Sequence, residues 1–140
     1  MQLASTRILL SRKLTEAFVT KLKLDTGERR YAYKVEADKD TTIGGLCATD
    51  PAPPYKGALY AVGTTSGQLV GADNSVLEKY NMFVVGLKLV TMTVNLVTTS
   101  TKWKPELNWQ TKYDLFGGGC VATKTGVHVF GTMGSSIEST

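Results

Sequence analysis

Apolar and polar residues alternate along much of the chain with the period of two that a half-buried β-strand produces. Residues 18–24 alternate in this way, and residues 31–38 alternate again after a glycine-containing turn at 25–28. One face of the first run carries Phe18, Thr20, Leu22 and Leu24, and one face of the second carries Tyr31, Tyr33, Val35 and Ala37. Two such runs around a short turn predict a β-hairpin with half-buried strands.

The longest apolar pattern covers residues 82–100, which are rich in β-branched side chains on both faces. A straight strand of that length would extend roughly 60 Å, which few domains of this size contain. We therefore expect a bend or a bulge at Gly86 or within residues 91–95.

Three further strand patterns follow the same logic. Residues 107–115 predict a strand with one solvated face that ends at glycines 117–119. A terminal hairpin is predicted from residues 121–123 and 127–130 around a turn at 124–126. A third hairpin is predicted from residues 58–62 and 68–70 around the segment 63–67.

The remaining segments look less regular. Residues 38–57 are predicted to be a loop, because three prolines and three glycines leave little room for a regular element. Residues 1–16 are predicted to form a basic arm or a short helix, and residues 133–140 a polar tail. Ser75 and Glu78 have the spacing of a capping box, which favours a short helix over 75–81.

Together these elements predict an all-β fold, mainly antiparallel, as a hairpin-rich sandwich or barrel-like domain with at most one or two short helices. With 140 residues in total, the chain is too short for two independent cores, so residues 17–132 are expected to be one domain. The apolar run at residues 8–10 is too short for a signal peptide, which favours a soluble protein with no membrane partner.

The net charge of +4 is unevenly distributed. Residues 1–34 carry +5, residues 35–78 carry −4 and residues 79–140 carry +3, and all four arginines lie within the first thirty positions. Arginine donates two coplanar hydrogen bonds to phosphate, so this basic end is a candidate nucleic-acid contact, although an ordinary solvated surface has the same composition.

Aromatic residues interleaved with cations give the second binding signal, because single-strand binders combine stacking rings with a cationic groove. Trp103 stands between Lys102 and Lys104 in a polar segment and is expected to be exposed, whereas Tyr31 and Tyr33 alternate with the core. The candidate nucleic-acid residues are Arg7, Arg12, Lys13, Arg29, Arg30, Lys34 and Trp103.

Candidate catalytic chemistry is sparse. The single histidine, His128, lies in a strand pattern, and Cys47 and Cys120 are expected to be reduced thiols without metal-ligand spacing. The glycines at 117–119 lack the lysine and hydroxyl residue of a phosphate-binding loop. Acids at 36, 38, 40 and 50 could hold a cation, but a solvated strand edge is the preferred interpretation. We therefore expect no enzyme activity, no cofactor and no metal.

The sequence favours a structural subunit of a viral particle, such as a coat, cement or tail protein. Such a subunit would assemble in the host cytoplasm with copies of itself and use its basic N-terminal segment to face nucleic acid. Nineteen threonines and long polar loops suit sheets and contacts between subunits. Two alternatives remain: a barrel-type module that binds single-stranded nucleic acid, and a β-sandwich that binds carbohydrate or a small ligand.

Overall fold

The computed structural model describes residues 13–49, 58–72 and 80–134. Every regular element in these ranges is a β-strand, and every pairing is antiparallel. The strands are β1 (Phe18–Leu22), β2 (Arg29–Lys34), β3 (Thr41–Ala48), β4 (Leu59–Thr65), β5 (Asn81–Val94), β6 (Val97–Ala122) and β7 (Val127–Met133). The predicted all-β, mainly antiparallel fold is confirmed.

The strands form two sheets. β1 and β2 make the predicted N-terminal hairpin, and the other five strands pair in chain order, β3-β4-β5-β6-β7. A search of the described residues for a helix long and apolar enough to cross a membrane finds none.

The long pattern at 82–100 forms two strands rather than one bent strand. Asn95 and Leu96 reverse the chain between β5 and β6 with φ angles of 50° and 65°. Two consecutive left-handed residues match the twist of a tight two-residue hairpin turn. The pairing register also shifts between Gly86 and Leu87, so both places where an irregularity was expected contain one.

The main core lies between the β1–β2 hairpin and one face of the five-stranded sheet. Its buried members are Ala17, Val19, Val35, Ala61, Leu69, Phe83, Val85 and Leu87. The predicted inward face of β2 is confirmed, with Val35 buried and both tyrosines half-buried. On β1 the opposite face is buried: Val19 is 3% exposed, whereas Phe18 is 67% exposed.

The second face of the sheet is partly covered by the end of the chain. β6 continues through glycines 117–119, which were predicted to end the strand, and its last part lies against β3 and β4. A Cβ added at Gly117 would overlap the carbonyl oxygen of Gly63, so these backbones approach more closely than any side chain would allow. The expected terminal hairpin, β6 with β7, is confirmed.

This crossing also joins the two cysteines. Cys47 on β3 and Cys120 on β6 form a disulfide, with Cα atoms 5.7 Å apart. The expectation of reduced thiols is therefore wrong, because a separation of 73 residues in sequence concealed their proximity in the fold. Cys120 also packs against Val62, Met82 and Val84, the small buried cluster on this face.

Two predictions between residues 38 and 70 are also wrong. The predicted loop at 38–57 contains β3, whose glycines pack against the end of β6. Residues 68–70 bond with residues 36–38 rather than with β4: the Val70 amide donates to the Glu36 carbonyl, and Ala37 bridges Leu69. β4 instead pairs with β3 and β5. Of the predicted helix at 75–81, residues 75–79 lie outside the described residues and Asn81 opens β5.

Candidate functional site

β5 and β6 extend past the rest of the five-stranded sheet. The last residue of β5 that pairs with β4 is Leu87, opposite Leu59, whereas β5 and β6 remain paired to Val94 and Val97. We call residues 88–104 the arm. Seven residues of β5 beyond Leu87 correspond to a projection of about 23 Å.

One face of the arm packs against the N-terminal hairpin. The ring of Trp103 meets that of Tyr31 edge-on, with 5.9 Å between centroids, and Trp103 also packs against the main core. Lys21 completes this contact with its ammonium 5.7 Å from the Tyr31 centroid. The expectation that Trp103 lies in an exposed loop is therefore wrong: it is a half-buried residue of β6.

The opposite face of the arm is cationic. Lys102 and Lys104 flank Trp103 on β6 and so point away from the hairpin, and Lys88 of β5 lies directly opposite Lys104. Lys88 pairs with Glu106 at 3.1 Å, which leaves two uncompensated positive charges among these four residues. We call Lys88, Lys102 and Lys104 the basic face. Like charges opposite each other weaken a sheet unless an anion lies near them.

The basic face continues into an apolar groove. On β5, Val84 and Gly86 alternate in step with Lys88, and their partners on β6 are Trp109 and Leu107. The groove has a volume of about 230 Å³ and is lined by Val84, Leu107, Trp109, Val127 and Val129. Trp109 is 44% exposed there, so this tryptophan lies on the same surface as the lysines and is open to solvent.

Of the residues proposed from sequence, those that the structure describes lie on different elements. Arg7 and Arg12 lie outside the described residues, and Lys13 is exposed ahead of β1. Arg29 and Arg30 are exposed at the start of β2. The Lys34 ammonium is bound to the Glu16 carboxylate at 2.7 Å, so its charge is compensated locally.

Sequence reasoning did not select Lys88, and it selected Trp103 as the exposed tryptophan, whereas Trp109 is the one that lies on the surface of the basic face. Trp103 and Trp109 both stand in alternating segments, and the register with β5 decides which face each occupies. The extra residue at Glu106 changes the phase between them: Leu87 pairs with Pro105, but Gly86 pairs with Leu107. Period-two counting from Trp103 to Trp109 therefore places both rings on one face, whereas the bulge separates them.

Three of the candidate catalytic and metal-binding residues, Cys47, Asp38 and Asp40, have structural partners. Cys47 is held in the disulfide and has no thiolate for a partnership with His128, which is exposed on β7. Asp38 accepts a hydrogen bond from the Gln68 amide at 2.6 Å, and Asp40 accepts one from the Thr15 amide at 2.8 Å. Within residues 13–49, 58–72 and 80–134 no three His, Cys, Asp or Glu side chains cluster as metal ligands.

A cleft of about 480 Å³ lies where the start of the described chain meets the end of β4 and the middle of β6. Its lining is Thr15, Asp40, Thr42, Thr64, Ser66, Tyr80 and Phe116. The rings of Tyr80 and Phe116 are 5.1 Å apart at one wall. Hydroxyl groups beside aromatic rings suit a small polar ligand.

Comparison of the chain with protein-family models, with curated proteins and with solved structures finds no match. Function must therefore be argued from the surfaces described above.

Proposed function

We propose that this protein is a non-enzymatic structural subunit of a viral particle that assembles with copies of itself. The supporting observation is the amount of apolar surface that one subunit leaves exposed. Among the described residues, seventeen large apolar side chains are exposed, compared with eleven apolar residues in the core. Isolated exposed apolar residues are common on monomers, but nine of these seventeen lie on three elements, the outer face of β1, the arm tip and the terminal hairpin.

The arm adds a second argument for assembly. Leu96 and Val97 at its tip are 98% and 64% exposed. A two-stranded hairpin is marginally stable in water, and an apolar tip lowers its solubility further. Both costs are removed if the tip packs against a neighbouring subunit, so the arm has the properties of a contact element.

A particle must also accommodate its nucleic acid, and the basic face provides a candidate surface. Lys88, Lys102 and Lys104 lie on one side of the arm, and Trp109 lies further along the same surface. In the proposal these residues take the phosphate-facing role together with the basic N-terminal segment. The particle would assemble in the host cytoplasm, as the sequence suggested.

The assembly proposal is tested by imaging and light scattering of the purified protein with and without RNA. We expect regular particles or tubes for the native chain. Replacing the tip by Leu96→Gly and Val97→Thr should prevent assembly without unfolding the subunit, because Leu96 has a positive φ that glycine adopts easily. Leu24→Ser, at an exposed leucine in the β1–β2 connection, is the matched control and should assemble normally. A native protein that stays monomeric under all these conditions would contradict the proposal.

The basic face also supports a second candidate function, a module that binds single-stranded nucleic acid without forming particles. Here the native protein would be a discrete monomer whose RNA affinity falls with salt. Replacing Lys88, Lys102 and Lys104 with alanine should reduce the slope of log affinity against log salt by roughly 0.7 for each lost phosphate contact. The double variant Arg29→Ala with Arg30→Ala tests the N-terminal hairpin in the same RNA-binding measurement. If neither variant changes RNA affinity, both surfaces are excluded as binding sites.

A further inference from the structure

β7 is an edge strand without the features that normally protect an edge. It pairs with β6 on one side, and no described residue pairs with its other side. Its sequence, Val-His-Val-Phe-Gly-Thr-Met, contains no lysine, arginine, acid or proline. All of its residues except Val127 are exposed, and Phe130 and Met133 are each 59% exposed. An uncharged, apolar edge of this kind is a template for pairing with another strand.

Two other edge strands, β2 and β3, are protected. β2 carries Arg29, Arg30 and Lys34, which discourage pairing with a further strand. β3 is interrupted by a register shift between Ile43 and Gly45, and the amide of Thr41 at its start donates to the Thr15 carbonyl. β7 therefore differs from β2 and β3 in being both regular enough to pair and free of lysine, arginine and acidic residues.

We propose that β7 pairs antiparallel with β7 of a second copy, which joins two five-stranded sheets into one continuous sheet. This inference rests on the proposed role as an assembly subunit and names the contact. A second copy is the partner because the strand complements itself: antiparallel self-pairing of an uncharged strand opposes no like charges in any register. It also gives a closed two-fold interface, the commonest symmetry of protein dimers.

The strand length specifies the register. Full overlap of the seven residues places the two-fold axis at Phe130, which then lies opposite Phe130 of the second copy. His128 comes opposite Thr132, and Val127 comes opposite Met133, so every apolar residue meets an apolar residue or glycine. Pairs of aromatic or β-branched residues are favourable cross-strand neighbours. Val127 and Val129 also line the apolar groove, so the dimer would extend this groove across the axis.

Charged substitutions test this pairing with a matched control. His128→Lys combined with Thr132→Lys places lysines opposite each other twice in the dimer, so we expect self-association to weaken at least tenfold. His128→Lys combined with Thr132→Glu alters the same exposed positions but places lysine opposite glutamate, so association should be retained. Sedimentation measures both, and circular dichroism confirms folding. Equal association of the two variants would overturn the inference.

Cross-linking tests the register directly. His128→Cys and Thr132→Cys are made separately and mixed with a short bis-maleimide, and we expect a cross-linked dimer in the mixture. Thr125→Cys in the exposed β6–β7 turn replaces Thr132→Cys in the control mixture, which should stay uncross-linked. The native cysteines do not interfere because both are in the disulfide. Equal cross-linking in the two mixtures would overturn the register.

The outcomes separate this inference from the proposed function. Particles that form equally well from the lysine variant, without the specific cross-link, would overturn the β7 contact and leave the structural role in place. A cross-linked dimer that never forms particles would support the β7 contact and overturn the structural role. A native chain that is monomeric in every condition would overturn both.

Discussion

Gln110 holds an irregular segment onto the sheet from inside the core. Its side chain is 1% exposed. Its Oε1 accepts a hydrogen bond from the Leu69 amide at 2.8 Å, and its Nε2 donates to the Gly67 carbonyl at 2.8 Å. The Gln110 side chain thus makes the two hydrogen bonds that a neighbouring strand would otherwise make with residues 67–69. It also keeps Leu69 in the main core.

Replacing Gln110 with leucine should therefore be costly although the volume is similar. The Leu69 amide and the Gly67 carbonyl would both lose their partner in a buried site, and each unpaired group costs about 1–3 kcal/mol. We expect the free energy of unfolding in urea to fall by roughly 2–4 kcal/mol. Gln68→Leu is the control: its Nε2 bonds the carbonyls of Leu69 and Ala72 from a half-exposed position, so water can replace it. Equal losses in the two variants would contradict this assignment.

Tyr33 makes the stability of the protein sensitive to alkaline pH. Burial of its hydroxyl raises the pKa above the ordinary value of 10.0, and the nearby Glu36 carboxylate raises it further. The folded state therefore holds the phenol proton more tightly than the unfolded chain does. The resulting stability is complete below pH 10.0 and is lost as the pH rises through the higher pKa of the folded protein.

We expect Tyr33→Phe to lose less stability than the native protein between pH 9 and pH 11, a window around the ordinary tyrosine pKa of about 10. Thermal unfolding across this range measures the difference. Tyr113→Phe is the control, because this tyrosine is 48% exposed. If the stability of Tyr33→Phe falls with pH as steeply as that of the native protein, groups other than Tyr33 cause the alkaline loss of stability.

At the scale of elements, the contact between β6 and the β3–β4 pair depends on glycine. A Cβ at Gly117 would overlap the Gly63 carbonyl, whereas a Cβ at Gly118 would find its nearest neighbour, the Phe130 oxygen, at an ordinary 3.4 Å. We expect Gly117→Ala to destabilise the protein by about 1–3 kcal/mol, the usual cost of overpacking, and Gly118→Ala to be nearly neutral. Urea unfolding measures the free energy of unfolding of the two variants, which replace neighbouring glycines of one strand. Equal destabilisation would mean that strand propensity rather than close approach decides the effect.

The same contact shows how far local patterns could predict the fold. Alternation located two hairpins, β1–β2 and β6–β7, because the partner of each strand follows after a short turn, but it predicted the tighter β5–β6 hairpin as one bent strand. It could not identify β3 as a strand, because the glycines that look like loop residues are required by a contact with residues 117–119. The pairing of residues 36–38 with residues 68–70 could not be predicted either, because the two segments are far apart in the sequence.

The candidate surface was predictable to a similar extent. Lysines interleaved with tryptophans pointed to the strand that carries most of the basic face, since Lys102, Lys104 and Trp109 all belong to β6. The face occupied by each ring could not be derived, because the bulge at Glu106 inverts the alternation between Trp103 and Trp109. Bulges depend on pairing with the neighbouring strand, which a period in one segment does not contain.

At the scale of the whole molecule, the disulfide between Cys47 and Cys120 joins the first and last parts of the five-stranded sheet. It closes a loop with a sequence separation of 73 residues around β4, β5 and most of β6. Disulfides are rarely retained in a reducing cytoplasm, where the proposed assembly would take place. A subunit kept in such an environment would therefore lack this constraint.

Reduction of the Cys47–Cys120 disulfide should therefore lower the stability of the subunit. We expect the oxidised protein to be more stable than the reduced one by about 2–4 kcal/mol, chiefly because the cross-link restricts the unfolded chain. Urea unfolding with and without reductant measures this difference, and mass spectrometry counts the free thiols. The double variant Cys47→Ser with Cys120→Ser should match the reduced protein and ignore reductant. If full reduction leaves the unfolding midpoint unchanged, the β3–β6 contact is held by its glycine packing alone.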